Sequence, residues 1–267
     1  MTEPTPKAAG KPAAPEGEVQ LTFMDHLREL RKRLTQALYG IALGMVAVGI
    51  WVEKIYHWLM DPVLASLPES ARTLQYTSYV EPLMVYLKVA LYGGLFAAAP
   101  WVLFQLWLFI APGLYKREKK VVVPFLAFGT ILFYGGAAFC YFLVMPAAFP
   151  AMAAIASDAA LRPMLTMSET LSLALAMLLG FGIVFELPVV IAFLSMIGLV
   201  SADTLAKHRR IAVVLNVIAA AIITPTGDPL NLALMAIPMI LFYEIGVIAA
   251  RILGKRKAAG ADALAKV

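Results

Sequence analysis

The stretch VVVPFLAFGTILFYGGAAFCYFLVM, residues 121–145, has no charged residue over a length sufficient to cross a lipid bilayer. Other apolar runs are found along the 267-residue chain, of which 61% is hydrophobic and 15% charged. Runs of this length are typical of membrane-spanning helices and differ from the short alternations of a soluble core. They predict an all-α membrane protein with six transmembrane helices, at roughly 34–52, 83–111, 121–145, 169–199, 211–223 and 230–250.

The distribution of positive charge predicts the orientation of these helices. Of the 22 Lys and Arg residues, 18 fall in the N-terminal tail, the 112–120 loop, the 200–210 loop and the C-terminal tail. By the positive-inside rule, both termini are expected to face the cytoplasm, with the protein in the cytoplasmic (inner) membrane. We attribute the net charge of +5 to this topology and not to nucleic-acid binding.

The chain divides into three parts by composition. Residues 1–20 are rich in Pro, Ala and Gly and lack an apolar core, so they are expected to be a disordered cytoplasmic tail and not a cleavable signal. Residues 21–251 are expected to form the six-helix domain, and 252–267 a basic cytoplasmic tail. Just before the first span, 22–34 predicts an amphipathic helix that lies in the interface and turns into helix 1.

Two helix lengths predict the shape of the bundle. The fifth run, 211–223, would reach only roughly 20 Å as a helix, and the sixth is interrupted by Pro238. A short adjacent pair leaves the bundle lower on one side, so we expect a concave, glove-like shape. The outer connections, 53–82 and 146–168, contain aromatic residues and prolines and are expected to form folded caps.

Two acids stand among cations on the expected cytoplasmic side. Glu29 lies in HLRELRKRL, residues 26–34, and Glu118 lies in LYKREKKVV, residues 114–122. The simplest interpretation of Glu29 is a helical ion pair with Arg33, worth about 0.2–0.5 kcal/mol, and that of Glu118 is a solvated acid. The alternative is that each carboxylate binds an incoming arginine at two points, which neighbouring cations cannot do.

Glu186, in GFGIVFELPVVIAF, is ionisable near the middle of a predicted span. Such a residue costs at least about 2.5–3.5 kcal/mol on insertion unless it is protonated, hydrated or partnered. Pro188 leaves the carbonyl of Val184 without a helical donor, which favours a kinked, locally hydrated pocket. Glu186 is therefore either a functional residue or a neutral acid that joins helices. Asp228, in ITPTGDPLN, is expected to cap helix 6.

Several motifs are absent from the sequence. It has no phosphate-binding G-x-x-x-x-G-K-[ST] loop, no H-E-x-x-H, no C-x-x-C and no G-x-S-x-G. Its three histidines lie in different segments, and the single cysteine, Cys140, cannot form an intramolecular disulfide. We therefore expect no enzymatic activity, no catalytic residue, no metal site and no cofactor.

Five motifs together resemble the TatC family, the polytopic subunit of twin-arginine (Tat) protein translocases. In chain order they are HLRELRKRL, FQLWLFIAPGLYKREKK, FGIVFELPVV, ITPTGDP and AIPMILFYEIGV. The resemblance covers about residues 21–251 and implies a glove-like six-helix fold with both termini in the cytoplasm. It also implies that the protein recognises twin-arginine signal peptides and exports folded proteins, using the proton-motive force. The implied partners are TatA- and TatB-type single-span subunits, membrane lipid and further copies of the chain.

The resemblance also implies roles for individual residues. It assigns partner contact or signal insertion to Glu186 and Asp228, and the integrity of the first outer cap to Pro62. Where many members have D-P-F-S-Q, this chain has DPLNL, so polar contacts to a partner helix would come from Thr224 or Asn231. The residues assigned to signal-peptide binding are Glu29, Glu118, Phe109, Leu30 and Arg31.

The alternative function is a proton-coupled small-molecule secondary transporter that uses Glu186. Against this alternative, the two halves of the sequence show no repeat, and only one acid lies firmly at mid-membrane depth. Transporters of that class usually have inverted repeats and paired broken helices.

Overall fold

The computed structural model describes residues 23–65, 72, 74–110, 122–155, 165–223 and 229–264. In these ranges the chain is almost entirely helical, with one isolated β-bridge and no extended strand, which confirms the all-α class. A π-helical turn, Cys140–Val144, joins α5 to α6. The α-helices are α1 (Phe23–Gly49), α2 (Val52–Ala65), α3 (Glu81–Ala97), α4 (Ala99–Ile110), α5 (Val122–Phe139), α6 (Met145–Ile155), α7 (Met167–Phe185), α8 (Leu187–Met196), α9 (Ala202–Lys207), α10 (Arg209–Ile223) and α11 (Pro229–Leu264).

α1 is one continuous helix of 27 residues, which corrects the prediction of an interfacial helix that turns into the first span. No Gly or Pro occurs in residues 23–39, and their Leu, Arg, Lys and Glu residues favour helix, so nothing ends the helix at the expected membrane surface. α1 stops at Gly49, and α2 leaves it at an angle of 88°. The charged N-terminal part is therefore a direct extension of the first apolar helix.

α2 is held against the helix that follows α5. Its Pro62 has no amide hydrogen to donate to the carbonyl of Trp58, four residues earlier. The hydroxyl of Tyr141 donates to that carbonyl instead, over 2.6 Å, and the Tyr141 ring stacks on the Trp58 indole with centroids 4.5 Å apart. Met60 and Val63 on α2 are fully buried. The bond and the buried side chains together fix the helix of the first expected outer cap.

The second predicted span, 83–111, consists of two helices, α3 and α4, with a bend of 55° at Ala98. Pro100, in the first turn of α4, cannot donate to the carbonyl of Phe96, so the helical hydrogen-bond pattern is interrupted there. The hydroxyl of Tyr134 in α5 donates to this carbonyl over 2.8 Å. The bend follows from one proline, and a neighbouring helix satisfies the acceptor that it frees.

The stretch 121–145 belongs to a continuous helical segment that ends at Ile155. From Val122 this segment is about 50 Å long, which exceeds the roughly 30 Å of a hydrocarbon core. The segment is therefore longer than a hydrocarbon core, and nearly all of α6 falls in the 146–168 connection that the sequence predicts as the second cap. In the π turn, the amide of Met145 donates to the carbonyl of Cys140, five residues earlier.

The described parts of the two connections expected on the outer side are tied to each other. Gln75 and Thr166 pair in a parallel bridge. The Glu81 carboxylate accepts a hydrogen bond from the amide of Thr77 over 2.6 Å and another from the amide of Ser168 over 2.9 Å. Because Glu81 begins α3 and Ser168 lies in the first turn of α7, this carboxylate joins both connections to the bundle.

α7 and α8 form one apolar segment that is broken at Glu186, as the position of Pro188 predicts. α7 is the most enclosed helix of the core, with Leu171, Ala174 and Phe181 fully buried. After α8, Gly198 adopts a φ of +85°, which favours glycine. The amide of Gly198 donates to the carbonyl of Ser195, and the amide of Leu199 donates to that of Leu194. The helix therefore ends in a Schellman motif.

The helices pack in a row with α1 at one edge and α10 at the other. α1 contacts α3 and α4, α5 contacts α4 and α7, and α8 contacts α11, which in turn contacts α10. α1 and α3 cross backbone to backbone: a Cβ on Gly44 would lie 2.6 Å from the carbonyl oxygen of Gly94, and one on Gly94 would overlap the backbone of Met45. The two glycines therefore set the closeness of this crossing.

Three helical segments of the described chain are long and apolar enough to cross a membrane: Val123–Met152, Met167–Met196 and Leu232–Ile252. The pairs α1–α2 and α3–α4 meet the same criterion only when each bent pair is counted together. α10 has 15 residues, about 22 Å, which agrees with a short fifth span. α11 is longer than the sequence indicates, with 36 residues, because its helix passes Pro238 and continues through the basic segment.

Candidate functional site

Glu29 and Arg33 form an ion pair at the charged end of α1. The Oε1 atom of Glu29 accepts hydrogen bonds from Arg33 Nε over 2.7 Å and is 2.6 Å from Arg33 Nη2. Their side chains are only 27% and 20% exposed, respectively. The i,i+4 interpretation of the sequence is confirmed, and the pair is more shielded from solvent than an ion pair on an open surface.

The Arg33 guanidinium also connects α1 to α4. Its Nη1 atom donates to Oε1 of Gln105, 72 positions later in the chain, over 3.3 Å. The same nitrogen lies 3.5 Å from Oε1 of Gln36. Gln105 is 2% exposed, so its amide oxygen depends on a protein donor. Glu29, Gln36 and Gln105 thus form three sides of a site for one guanidinium group.

Apolar side chains border this charged group. Phe109, one helical turn after Gln105 on α4, stacks on His26 of α1 with ring centroids 4.5 Å apart. Leu30 and Phe109 line a cavity of about 140 Å³ that also touches Arg33 and Gln105. Three of the residues assigned to signal binding by the resemblance, Glu29, Leu30 and Phe109, therefore lie around one place between α1 and α4.

The remaining predicted residues are distributed elsewhere. Arg31 is exposed on α1, and no hydrogen bond or ion pair of its side chain is found within the described ranges. Glu118, Thr224 and Asp228 lie outside the residues that the structure describes. Pro62 lies in α2, away from the charged end of α1, where it frees the carbonyl that Tyr141 binds.

Glu186 occupies a separate place, at the break between α7 and α8. Its carboxyl group faces Gly129 of α5, where an added Cβ would lie 2.9 Å from Glu186 Oε2. Oε1 is buried and has no hydrogen-bond partner among the described residues. The interpretation of Glu186 as an acid hydrogen-bonded to a neighbouring helix therefore finds no bond in the described part of the chain.

Sequence reasoning missed Gln105, His26 and the second role of Arg33. Gln105 could have been noticed, because it is an amide in the apolar stretch FQLWLFI and lies four residues before Phe109, on the same helix face. The contact of Arg33 with Gln105 could not have been predicted from the sequence, because it depends on how α1 and α4 cross.

The arrangement can hold a planar cation but offers no metal site. Within the described residues, no group of three His, Cys, Asp or Glu side chains is close enough to hold a metal ion. The half-buried carboxylate and two amide oxygens accept hydrogen bonds in several directions, which suits a guanidinium better than a point-like ammonium.

Comparisons with known proteins agree on one family. A family model described as Sec-independent protein translocase protein (TatC) matches residues 25–238. The TatC protein of Koribacter versatilis (strain Ellin345) is 41% identical over 229 residues, which are 85% of this chain and 84% of the relative. The TatC protein of Escherichia coli (strain K12) is 35% identical over 229 residues, covering 86% and 88%.

A solved structure agrees in fold as well as in sequence. The crystal structure of a twin arginine translocase receptor, TatC, superimposes with a TM-score of 0.76 at 33% identity. The match covers 85% of this chain and 99% of that one. The helical layout described above is therefore that of the solved receptor.

Proposed function

The chain belongs to the TatC family of Sec-independent protein translocase proteins, and from this membership we propose that it is the receptor subunit of a twin-arginine translocase. In this role it binds signal peptides that carry paired arginines and takes part in exporting folded proteins across the membrane. The proposal involves no chemistry on a covalent bond, so the protein acts as a transport subunit and not as an enzyme.

One observation carries the residue-level proposal: Glu29 already holds a guanidinium group in half-buried surroundings. An exposed ion pair is worth only about 0–1 kcal/mol, which is too little to select one signal among many basic segments. Partial burial, together with the amide oxygen of Gln105, makes the same pair more selective. The surroundings of Glu29 thus have the properties that arginine recognition requires.

The second arginine of the signal is proposed to bind Glu118. This acid follows α4 by eight residues and lies among four cations, which keep a carboxylate ionised. A carboxylate binds the planar fork of arginine at two points, whereas lysine offers a single ammonium group. Phe109 and Leu30 would contact apolar parts of the signal beside the arginines, and Arg31 would contribute from the exposed face of α1.

The partners and the setting follow from the same proposal. Both termini face the cytoplasm, the protein lies in the inner membrane, and transport uses the proton-motive force. TatA- and TatB-type single-span subunits dock on the bundle, which assembles with further copies of this chain. Thr224, Asp228 and Glu186 are proposed to contact a partner helix or the inserted signal. The exposed apolar face of α10 at the edge of the row is consistent with a helical partner in the membrane.

The small-molecule transporter alternative finds no support. The relatives and the solved structure are protein translocase subunits by their descriptions, and none is described as a solute carrier. Glu186 is instead proposed to serve protein transport.

The test is site-specific cross-linking of a twin-arginine precursor to membranes that contain the full chain. Glu29→Ala and Glu118→Ala are each expected to weaken cross-linking, and the double variant is expected to abolish it. Asp25→Asn is the matched control, because it removes the same charge one turn earlier on α1, where the ion-pair partner of Asp25 within the described ranges is the exposed Arg28. A twin-lysine precursor gives the background. Undiminished cross-linking in the double variant would refute the receptor assignment.

A further inference from the structure

The guanidinium site of the receptor is occupied by a residue of the receptor itself. Arg33 contacts Glu29 through Nε and Nη2 and donates a hydrogen bond from Nη1 to Gln105. These are the contacts that an incoming arginine would make. We propose that Arg33 is a resident competitor, which a signal arginine must displace before it can bind Glu29. This inference rests on the proposed receptor function and adds a device that sets its affinity.

The Glu29 carboxylate has limited hydrogen-bond capacity for a second guanidinium group. Each carboxylate oxygen has two lone pairs, and two nitrogens of Arg33 already approach Oε1 of Glu29, at 2.7 and 2.6 Å. A two-point pair with an incoming arginine requires both oxygens of the carboxylate. The two-point pair therefore cannot form on Glu29 until Arg33 has left Oε1.

The burial of Gln105 favours the exchange of one arginine for another. Its oxygen is 3.3 Å from Arg33 Nη1, and the residue is 2% exposed. When Arg33 leaves, this oxygen loses its donor unless the incoming group supplies one. An arginine can donate to Glu29 and Gln105 at once because its guanidinium carries five N–H groups, whereas a lysine ammonium is compact and lacks the fork. Exchange of one arginine for another thus leaves all acceptors satisfied.

Competition of this kind sets a threshold of affinity. The apparent dissociation constant equals the intrinsic one divided by the fraction of receptor whose site is open. If Arg33 occupies Glu29 in about nine receptors of ten, every basic ligand binds about tenfold more weakly than it would to an open site. The ratio between the dissociation constants of arginine and lysine signals is unchanged. Weak basic segments, however, then have dissociation constants above their working concentration and stay unbound.

The test measures binding of a fluorescently labelled signal peptide to the purified full chain in lipid nanodiscs. Arg33→Gln opens the site and is expected to lower the dissociation constant about tenfold for the twin-arginine peptide, and by a similar factor for its twin-lysine counterpart. Lys32→Gln is the charge-matched control: it removes a cation from the adjacent, exposed position and is expected to change binding less than about twofold. The gain should vanish in the double variant Glu29→Ala/Arg33→Gln.

A second variant keeps the test decisive if Arg33→Gln does not fold, as judged by circular dichroism. Arg33→Lys retains the charge but cannot hold Glu29 with two nitrogens and reach Gln105, so it should also bind the peptide more tightly than the wild type. Equal or weaker binding by the folded variant, relative to the wild type, would overturn the competitor role.

The experiment separates this inference from the receptor assignment. Glu29→Ala alone should weaken peptide binding if Glu29 reads the signal. If Glu29→Ala weakens binding while Arg33→Gln does not strengthen it, only the competitor role fails. If Glu29→Ala leaves binding unchanged, Glu29 does not read the signal, and the competitor role, which depends on Glu29, fails with that assignment.

Discussion

Tyr134 donates a hydrogen bond of 2.8 Å to the carbonyl oxygen of Phe96, the acceptor that Pro100 leaves without a helical donor. A second tyrosine on the same helical segment, Tyr141, does the same for the carbonyl of Trp58, which Pro62 leaves free. One helical segment therefore satisfies two carbonyls that prolines leave without a helical donor, one in α2 and one in α3. For the carbonyl of Phe96, which lies in a predicted membrane span, this matters because no water is present in the hydrocarbon core to bind it.

Removing the first of these hydroxyls should destabilise the bundle. Tyr134→Phe removes the side-chain hydrogen bond to the carbonyl of Phe96 and is expected to lower the free energy of unfolding by about 1 kcal/mol. Unfolding of the purified protein in a detergent titration, followed by tryptophan fluorescence, measures this change. Tyr39→Phe is the control, because Tyr39 is 71% exposed and no hydrogen bond of its hydroxyl is found in the described part of the chain. Equal stability of the two variants would contradict the expectation.

The second tyrosine allows a double-mutant cycle. Pro62→Ala restores an amide that can donate to the carbonyl of Trp58, so the Tyr141 hydroxyl becomes less necessary. Tyr141→Phe should therefore cost about 1 kcal/mol more in the wild type than in the Pro62→Ala background. The cycle is measured with the same unfolding titration. Additive effects of the two substitutions would show that the proline and the tyrosine are not coupled.

The crossing of α1 and α3 should tolerate no side chain at its centre. Gly44→Ala and Gly94→Ala would each place a methyl group against backbone atoms of the other helix, and each is expected to cost about 1–3 kcal/mol of stability. Gly49→Ala, on the same helix as Gly44, meets nothing within 4 Å and should change stability by less than about 0.5 kcal/mol. Thermal unfolding followed by size-exclusion chromatography compares the three variants. A similar loss in all three would point to glycine flexibility and not to close packing.

The position of the Glu186 carboxyl group can be tested without changing Glu186. Gly129→Ala would place a methyl group 2.9 Å from Glu186 Oε2 and displace the carboxyl from the break between α7 and α8. If Glu186 serves export from this place, Gly129→Ala should reduce export of a folded twin-arginine substrate to about the level of Glu186→Ala. Gly135→Ala is the control on the same helix, because nothing lies within 4 Å of the added methyl group. Normal export by Gly129→Ala, together with defective export by Glu186→Ala, would show that this placement is not required.

The sequence predicts the helical class, the apolar membrane segments and the break at Glu186, but it also predicts an interruption at Pro238, where α11 is continuous. The break at Glu186 and the short α10 follow from Pro188 and from the length of an apolar run. Two expectations needed correction for reasons that are also local. The turn before the first span is absent because no Gly or Pro occurs in residues 23–39, and the second predicted span is bent because Pro100 follows Ala98 by two residues.

The candidate site was predicted only in part. The pairing of Glu29 with Arg33 follows from their spacing of four residues on one helix. The burial of that pair and its link to Gln105 do not follow from local spacing. They depend on the packing of α1 against α4, where Gln105 lies 72 positions after Arg33. The stacking of Phe109 on His26 is undetermined by sequence for the same reason.

By itself, the sequence determined the helical class, the segments apolar enough for a membrane and the break before Pro188, since hydropathy and hydrogen-bond loss are properties of neighbouring residues. The tertiary structure decided which side chains meet across helices. Tyr134 reaches Phe96, and Arg33 lies between Glu29 and Gln105, because the rotation and crossing angle of each helix pair bring these groups together. Those contacts turn a charged helix end into a half-buried site for an arginine.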